Sequence, residues 1–201
     1  QGRHHLAKLE ERRQILSRGM NRTQQTERIF AIVFRSQEEL KAYLPEHVLA
    51  FAWSSDNPTF QPGLVLSLDS QGAVVNHELA HAISFALLEH QPRWLAEALA
   101  TYFELGAPEP GTRMVTLGRP SPSRLQHLRS PEPLSVAQLF ACKRAECSDD
   151  AFYAWSWALF AYLLEQRFDR FAIYLQSLQV NKGDHELAWL EAFGEEPLAG
   201  L

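Results

Sequence analysis

The sequence predicts an α+β fold, with a small amino-terminal mixed sheet packed on one buried helix and a mainly helical carboxy-terminal half. Three observations predict it. The β-branched and aromatic runs that read as strands all precede residue 70. Beyond that point apolar residues recur at helical spacing. The order, strands first and helices after, is that of α+β rather than of alternating βαβ units. At 201 residues and 46% hydrophobic, the chain is long enough to bury a sizeable core.

The elements follow in order. Residues 4–18 read as a charged helix ended near Gly19, within a basic lead-in over 1–25 that reads as a solvated, partly frayed helix. Residues 26–201 then form one domain. Arg28 to Arg35 (RIFAIVFR) has the composition of a buried strand. Ser36 and Glu39 have capping-box spacing and open a short helix to Leu44, before Pro45. Val48–Trp53 is a second strand, Asp56-Asn57-Pro58 and Gln61-Pro62-Gly63 are turns, and Leu64–Leu68 is a third strand. From Gln71 to His90 apolar residues fall on nearly every side, the pattern of a buried helix, which completes the 26–90 part.

The helical half spans 91–201. Gln91-Pro92 breaks the chain, and Pro92 suits the first turn of a helix running to Leu105. An irregular loop over 106–134 follows, because six of the eleven prolines lie between Gly106 and Pro133. Helices are expected at about 135–141, 150–166, 168–179 and 184–193, the last ended by Gly194. Trp155, Trp157, Phe160 and Tyr162 read as core packing, and His127 and His185 as surface.

Charge and hydropathy narrow the function classes. The net charge is −5 and the pI near 5.9, against a nucleic-acid binder. Residues 1–35 hold eight Lys/Arg against three Glu, so the remainder carries −10. The longest near-apolar stretch, Ala151–Leu164, is shorter than the roughly 18 residues of a membrane span. The opening QGRHHLAKLEERRQ lacks the apolar run of a signal peptide, which leaves a cytosolic chain or one whose signal has been removed. Cys142 and Cys147 form either a small disulfide loop in an oxidising compartment or two free thiols; the first leans toward an exported, periplasmic chain.

Within the buried helix stands His77-Glu78-Leu79-Ala80-His81, an H-E-x-x-H. Residues four apart on a helix share a face, about 40° and 6 Å from one another. Two imidazoles so placed reach one Zn²⁺ at about 2.0–2.1 Å. Glu78 projects beside such a metal and suits a general base for the water it holds. The bland alternative, two hydrogen-bonded core histidines, sets three ionisable groups into an apolar helix at high cost unless they are paired or bound to metal. A third ligand is expected at Glu97, on the next helix amid Leu95, Ala96, Ala98, Leu99 and Ala100, where a buried carboxylate needs a cation.

HELAH, followed by PRWLAEALATYFE, Tyr153-Ala154-Trp155-Ser156-Trp157-Ala158-Leu159 and Ala192-Phe193-Gly194, resembles the gluzincin metallopeptidases. It most closely resembles the bacterial peptidase MA-like domains of largely unassigned function, over about residues 29–198. One departure is Ala98, where that pattern usually has glycine. The resemblance implies a zincin-like fold and one Zn²⁺ per chain held by His77, His81 and Glu97, with Glu78 as general base and proton shuttle. Glu104, seven residues after Glu97, matches an acidic position of related aminopeptidases and either backs the site or is a solvated helix-end carboxylate. Tyr153 is the candidate for stabilising the tetrahedral oxyanion, in competition with Tyr102 and Tyr162. The resemblance also implies that the strand Leu64–Leu68 lies at a sheet edge, where an extended peptide could add to it.

The expected function is therefore that of a zinc-dependent metallopeptidase acting on a peptide or protein substrate. The alternative is a catalytically silent zinc-containing module that binds peptide or protein. Hydrolysis of a non-peptide amide or ester by the same machinery is a weaker third.

Overall fold

The computed structural model describes residues 2–20, 28–46, 48–53, 62–85, 87–109, 111, 114–143 and 149–194. They form mixed α and β structure in two compact units, one comprising Gln1–Ala86 and Phe103–Arg119, the other Leu87–Tyr102 and Pro120–Leu201. No helix among the described residues is long and apolar enough to cross a membrane.

The first unit opens with α1 (Gly2–Gly19). Leu9, Leu16 and Ser17 on its inner side are buried and α1 packs on α3 (Gly72–Phe85), so the lead-in helix is not the solvated element its charge suggests. Most of its charged residues are exposed, with Glu10 and Arg13 joined at 2.7 Å, whereas Arg12 reaches α3. Strands β1 (Phe30–Phe34), β2 (Phe51–Trp53) and β3 (Gly63–Ser67) form a sheet in the order β1-β3-β2, with β1 parallel and β2 antiparallel to β3.

That order corrects the edge position expected of Leu64–Leu68. β3 is the central strand, paired with β1 from Gly63 to Ser67 and with β2 from Gly63 to Val65, and Leu64 and Leu66 are buried. A near-continuous apolar run marks a strand covered on both sides, not one facing solvent. The outer strands leave Phe30, Ile32 and Phe51 exposed. β2 is shorter than Val48–Trp53 because the Val48 N–H is taken by the Pro45 carbonyl at 2.9 Å, a turn bond that removes it from the ladder. Residues 56–58 and Gln61 of the expected turns lie outside the described residues.

Between β1 and β2 runs α2 (Gln37–Lys41), capped as its sequence predicts. Ser36 Oγ accepts from the Glu39 N–H at 3.1 Å, while the Glu39 carboxylate reaches one residue further back, to the Arg35 N–H at 2.7 Å. α3 packs on β2 and β3 and ends at Phe85, short of the expected His90.

In the second unit, the segment after α3 forms turns against the loop that follows α8 (Phe168–Val180). Gln179 Nε2 donates to the Leu87 carbonyl at 3.5 Å. Gly183, at φ +85°, lies so close to the His90 backbone that a Cβ there would come within 2.9 Å of its carbonyl oxygen.

α4 (Arg93–Glu104) is a single helix shared by the two units, Arg93–Tyr102 in the second and Phe103–Glu104 in the first. Beyond it, the expected irregular loop over 106–134 is partly ordered. In the first unit β4 (Ala107–Pro108) pairs antiparallel with β5 (Val115–Thr116). In the second, α5 (Pro122–Leu128) starts on Ser121, whose Oγ accepts from the Arg124 N–H. Ser121-Pro122 is a helix start, with an N-cap followed by Pro at the first helical position; the proline count alone obscures it.

α6 (Val136–Ala141), α7 (Asp150–Gln166), α8 and α9 (His185–Phe193) complete the second unit. Ser135 with Gln138, Asp149 and Asp184 cap α6, α7 and α9. Trp94, Phe140, Phe160, Phe171, Tyr174 and Trp189 form its aromatic core, with Trp155 and Tyr162 packed against it. Cys142 at the end of α6 is disulfide-bonded; the other cysteine of the sequence, Cys147, lies outside the described residues.

His185 is not a surface residue. It is half-buried, edge-on to Phe140 with ring centroids 5.2 Å apart, and burial holds its pKa below the usual 6.5. The folded state therefore binds a proton less readily than the unfolded chain, and stability falls as pH drops below 6.5. Thermal melts of wild type and His185→Gln between pH 7.5 and 5 test this: the melting temperature of the variant should fall less on acidification. Parallel curves would place the acid sensitivity elsewhere.

Candidate metal centre

The H-E-x-x-H segment lies in the middle of α3, which buries Val75, Leu79, Ala82 and Ile83 within the first unit. This apolar packing fixes the rotation of the helix and so the direction of its polar residues. His77 and His81 are successive on one face, rings T-shaped with centroids 4.8 Å apart. His81, only 8% exposed, stacks on Phe85 one turn on, with centroids 5.6 Å apart and planes at 13°. Two neighbours on its own helix thus set its ring.

The ring atoms of the pair converge. Nε2 of His77 and Nε2 of His81 are 3.2 Å apart. Two ligands of one tetrahedral ion of zinc size, each about 2.0–2.1 Å from it, stand about 3.3–3.4 Å from one another. The imidazoles are already at that spacing.

Glu97 supplies a carboxylate. A ligand atom from each of His77, His81 and Glu97 lies within 4.8 Å of the others, so the group could bind a metal ion. Glu97 is 6% exposed, the burial expected of it rather than that of a surface helix. The donor set of two neutral imidazoles and a carboxylate suits a divalent ion with N and O preferences.

Glu104 backs His77. Its Oε2 is 3.4 Å from His77 Nδ1, and both side chains are largely buried. With its Nδ1–H directed at the carboxylate, His77 keeps the Nε2 lone pair toward His81, the tautomer a metal ligand needs. Of the two roles open to Glu104 in the sequence, the contact selects the one behind the histidine. Glu78, next to His77 on α3, is half-buried.

Two participants escape the sequence reading. Arg93 Nη2 lies 3.1 Å from Glu97 Oε1, so Glu97 has a guanidinium partner one turn before it. The i,i+4 spacing of Arg93 and Glu97 on a helix was the available signal. A carboxylate has two oxygens, and Arg93 on one of them turns the group rather than consuming it. With Glu97 and Glu104 against Arg93, carboxylates outnumber the guanidinium, which favours a cation there. Asn76, just before the motif, is the second; a polar side chain in an apolar run was its signal.

Tyr153 lies in the first turn of α7 in the second unit, half-buried. Its ring meets Phe152 edge-on, and the Arg124 guanidinium lies 5.6 Å from its centroid. Tyr102 packs edge-on against Phe160, and the Tyr162 hydroxyl accepts from Arg167 Nε at 3.1 Å.

The chain belongs to the family described as a protein of unknown function (DUF1570), whose model matches residues 71–183, from the start of α3 to the end of α8 and the turn after it. No curated protein and no solved structure matches the chain.

Carboxylates behind metal-binding histidines typically change affinity by about 10–100-fold when lost. Glu104→Ala should therefore weaken divalent-metal binding by about ten-fold or more, measured by competition with a chromophoric chelator. Unchanged affinity would mean that the His77–Glu104 contact orients nothing.

Proposed function

We propose that this chain is a zinc-dependent hydrolase of the gluzincin type, most directly a metallopeptidase with a zincin-like arrangement of α3 and α4. The observation that carries it is the 3.2 Å separation of the His77 and His81 Nε2 atoms with the Glu97 carboxylate converging on them. Zinc is favoured over harder ions by the two imidazoles. Membership of a family of unknown function assigns no activity, so the support is chemical.

A bound zinc would supply Lewis acidity toward a carbonyl oxygen and make water a stronger acid. His77, His81 and Glu97 would hold that ion, three protein ligands being the number that a catalytic zinc takes. Glu78 takes the proton from the water whose oxygen attacks the scissile carbon. As the C–N bond breaks, Glu78 passes that proton to the departing nitrogen, which leaves as an amine. Arg93 and Glu104 keep the ligating carboxylate and imidazole in orientation. Tyr153 remains the side chain proposed to donate to the developing oxyanion.

The substrate class proposed is a peptide or protein. The alternative function, a zinc-containing module that binds peptides without turnover, needs the same three ligands and differs only at Glu78.

Glu78→Gln and His77→Ala separate the cases. Glu78→Gln should retain about one zinc per chain and lose peptide hydrolysis by roughly a hundred-fold or more, whereas His77→Ala should lose both. The assay is digestion of a broad peptide library, with and without chelator, beside metal analysis. Cleavage retained by Glu78→Gln would overturn the mechanism. Zinc retained by wild type with no chelator-sensitive cleavage would establish the binding module instead.

A further inference from the structure

The family match begins at residue 71, yet a side chain far upstream reaches the candidate metal centre through one intermediary. We propose that Asn76, fixed by Arg12 of α1, is a positioning residue for the metal ligands, and that α1 is thereby a working part of the site. The inference rests on the metal-binding reading above.

Asn76 is 4% exposed, and each polar atom of its side chain has a defined partner within the first unit. Its Oδ1 accepts from Arg12 Nη1 at 2.8 Å. Its Nδ2 donates to the carbonyls of Glu104 at 3.0 Å and Gly106 at 3.2 Å. The last carbonyls of a helix have no partner within it, so Asn76 satisfies the end of α4 from outside.

The consequence lies in which residue is gripped. Glu104 is held through its main chain by Asn76 and through its side chain by the next residue, His77. Two consecutive residues of α3 thus fix both the height and the rotation of the end of α4. Glu97 stands seven residues back on that hydrogen-bonded helix, two turns and about 10.5 Å along the axis. A helix fixed at Glu104 brings the Glu97 carboxylate to a set place, whereas slippage by one residue would swing it through about 100°.

Arg12 gives Asn76 its orientation. An asparagine amide can face either way, and a guanidinium donor on one side requires the oxygen there and the nitrogen toward α4. Arg12 Nη1 also lies 3.4 Å from the Gly72 carbonyl in the first turn of α3. A Cβ at Gly72 would stand 2.8 Å from Arg12 Nη2, so the glycine leaves room for the guanidinium. A cation beside a helix amino terminus opposes the helix dipole, so helix stability does not account for Arg12; the Asn76 bond does.

The substitutions that test this differ in which bonds they remove. Asn76→Asp keeps the acceptor for Arg12 and loses the donor to Glu104 and Gly106. Asn76→Ala loses both, Arg12→Ala releases the amide, and Arg12→Lys restores one donor. Glu10→Ala removes the exposed Glu10–Arg13 pair of the same helix without touching the chain of bonds. For variants with wild-type circular dichroism, zinc dissociation constants would be measured by chelator competition, and the visible spectrum recorded with Co²⁺ in place of zinc. Asn76→Asp and Asn76→Ala should bind zinc about ten-fold or more weakly and shift the cobalt bands. Arg12→Ala should follow in the same direction, Arg12→Lys should recover part of the loss, and Glu10→Ala should match wild type. Wild-type affinity and cobalt spectra in the Asn76 variants, or an equal loss in Glu10→Ala, would overturn the positioning role while leaving the metal centre intact. A wild-type protein that takes up no zinc would overturn both.

Discussion

The structure depends on the cost of placing charge inside apolar helices. α3 and α4 bury much of their surface, and a carboxylate or imidazole carried along must find compensation. The chain gathers these groups in one place, where Glu97 meets Arg93 and converges on His77 and His81, and His77 meets Glu104. A scattered arrangement would incur the desolvation penalty several times over. Gathered with a surplus of negative charge, the groups make the position attractive to a divalent cation.

Much of this was legible in the sequence, because it rests on local rules. Helical spacing fixes His77 and His81 on one face whatever the fold. The break at Gln91-Pro92, the capping-box spacing at Ser36 and the apolar periodicity beyond residue 134 place the starts of those helices within a residue or two. The bounds of α7 follow from its apolar periodicity alone.

What was not legible depends on partners distant in sequence. The central place of β3 follows from which strands pair with it, and a short apolar run does not carry that information. The turns at Leu87 and His90, expected as helix, meet Gln179 and Gly183 about ninety residues downstream. Arg12 reads as one more charge on a basic helix until Asn76 is opposite it. His185 reads as polar surface until Phe140 covers it. Local chemistry wrote the motif; long-range packing decided how it is braced.

The central claim is that His77, His81 and Glu97 together hold a metal. Its most direct test is metal content by native mass spectrometry on wild type beside Glu97→Ala, prepared without chelator. The account predicts about one zinc per wild-type chain and clearly less in the variant. Wild-type protein that carries no metal, and takes none up when zinc is added, would contradict it and reduce the cluster to a buried hydrogen-bonded brace between α3 and α4.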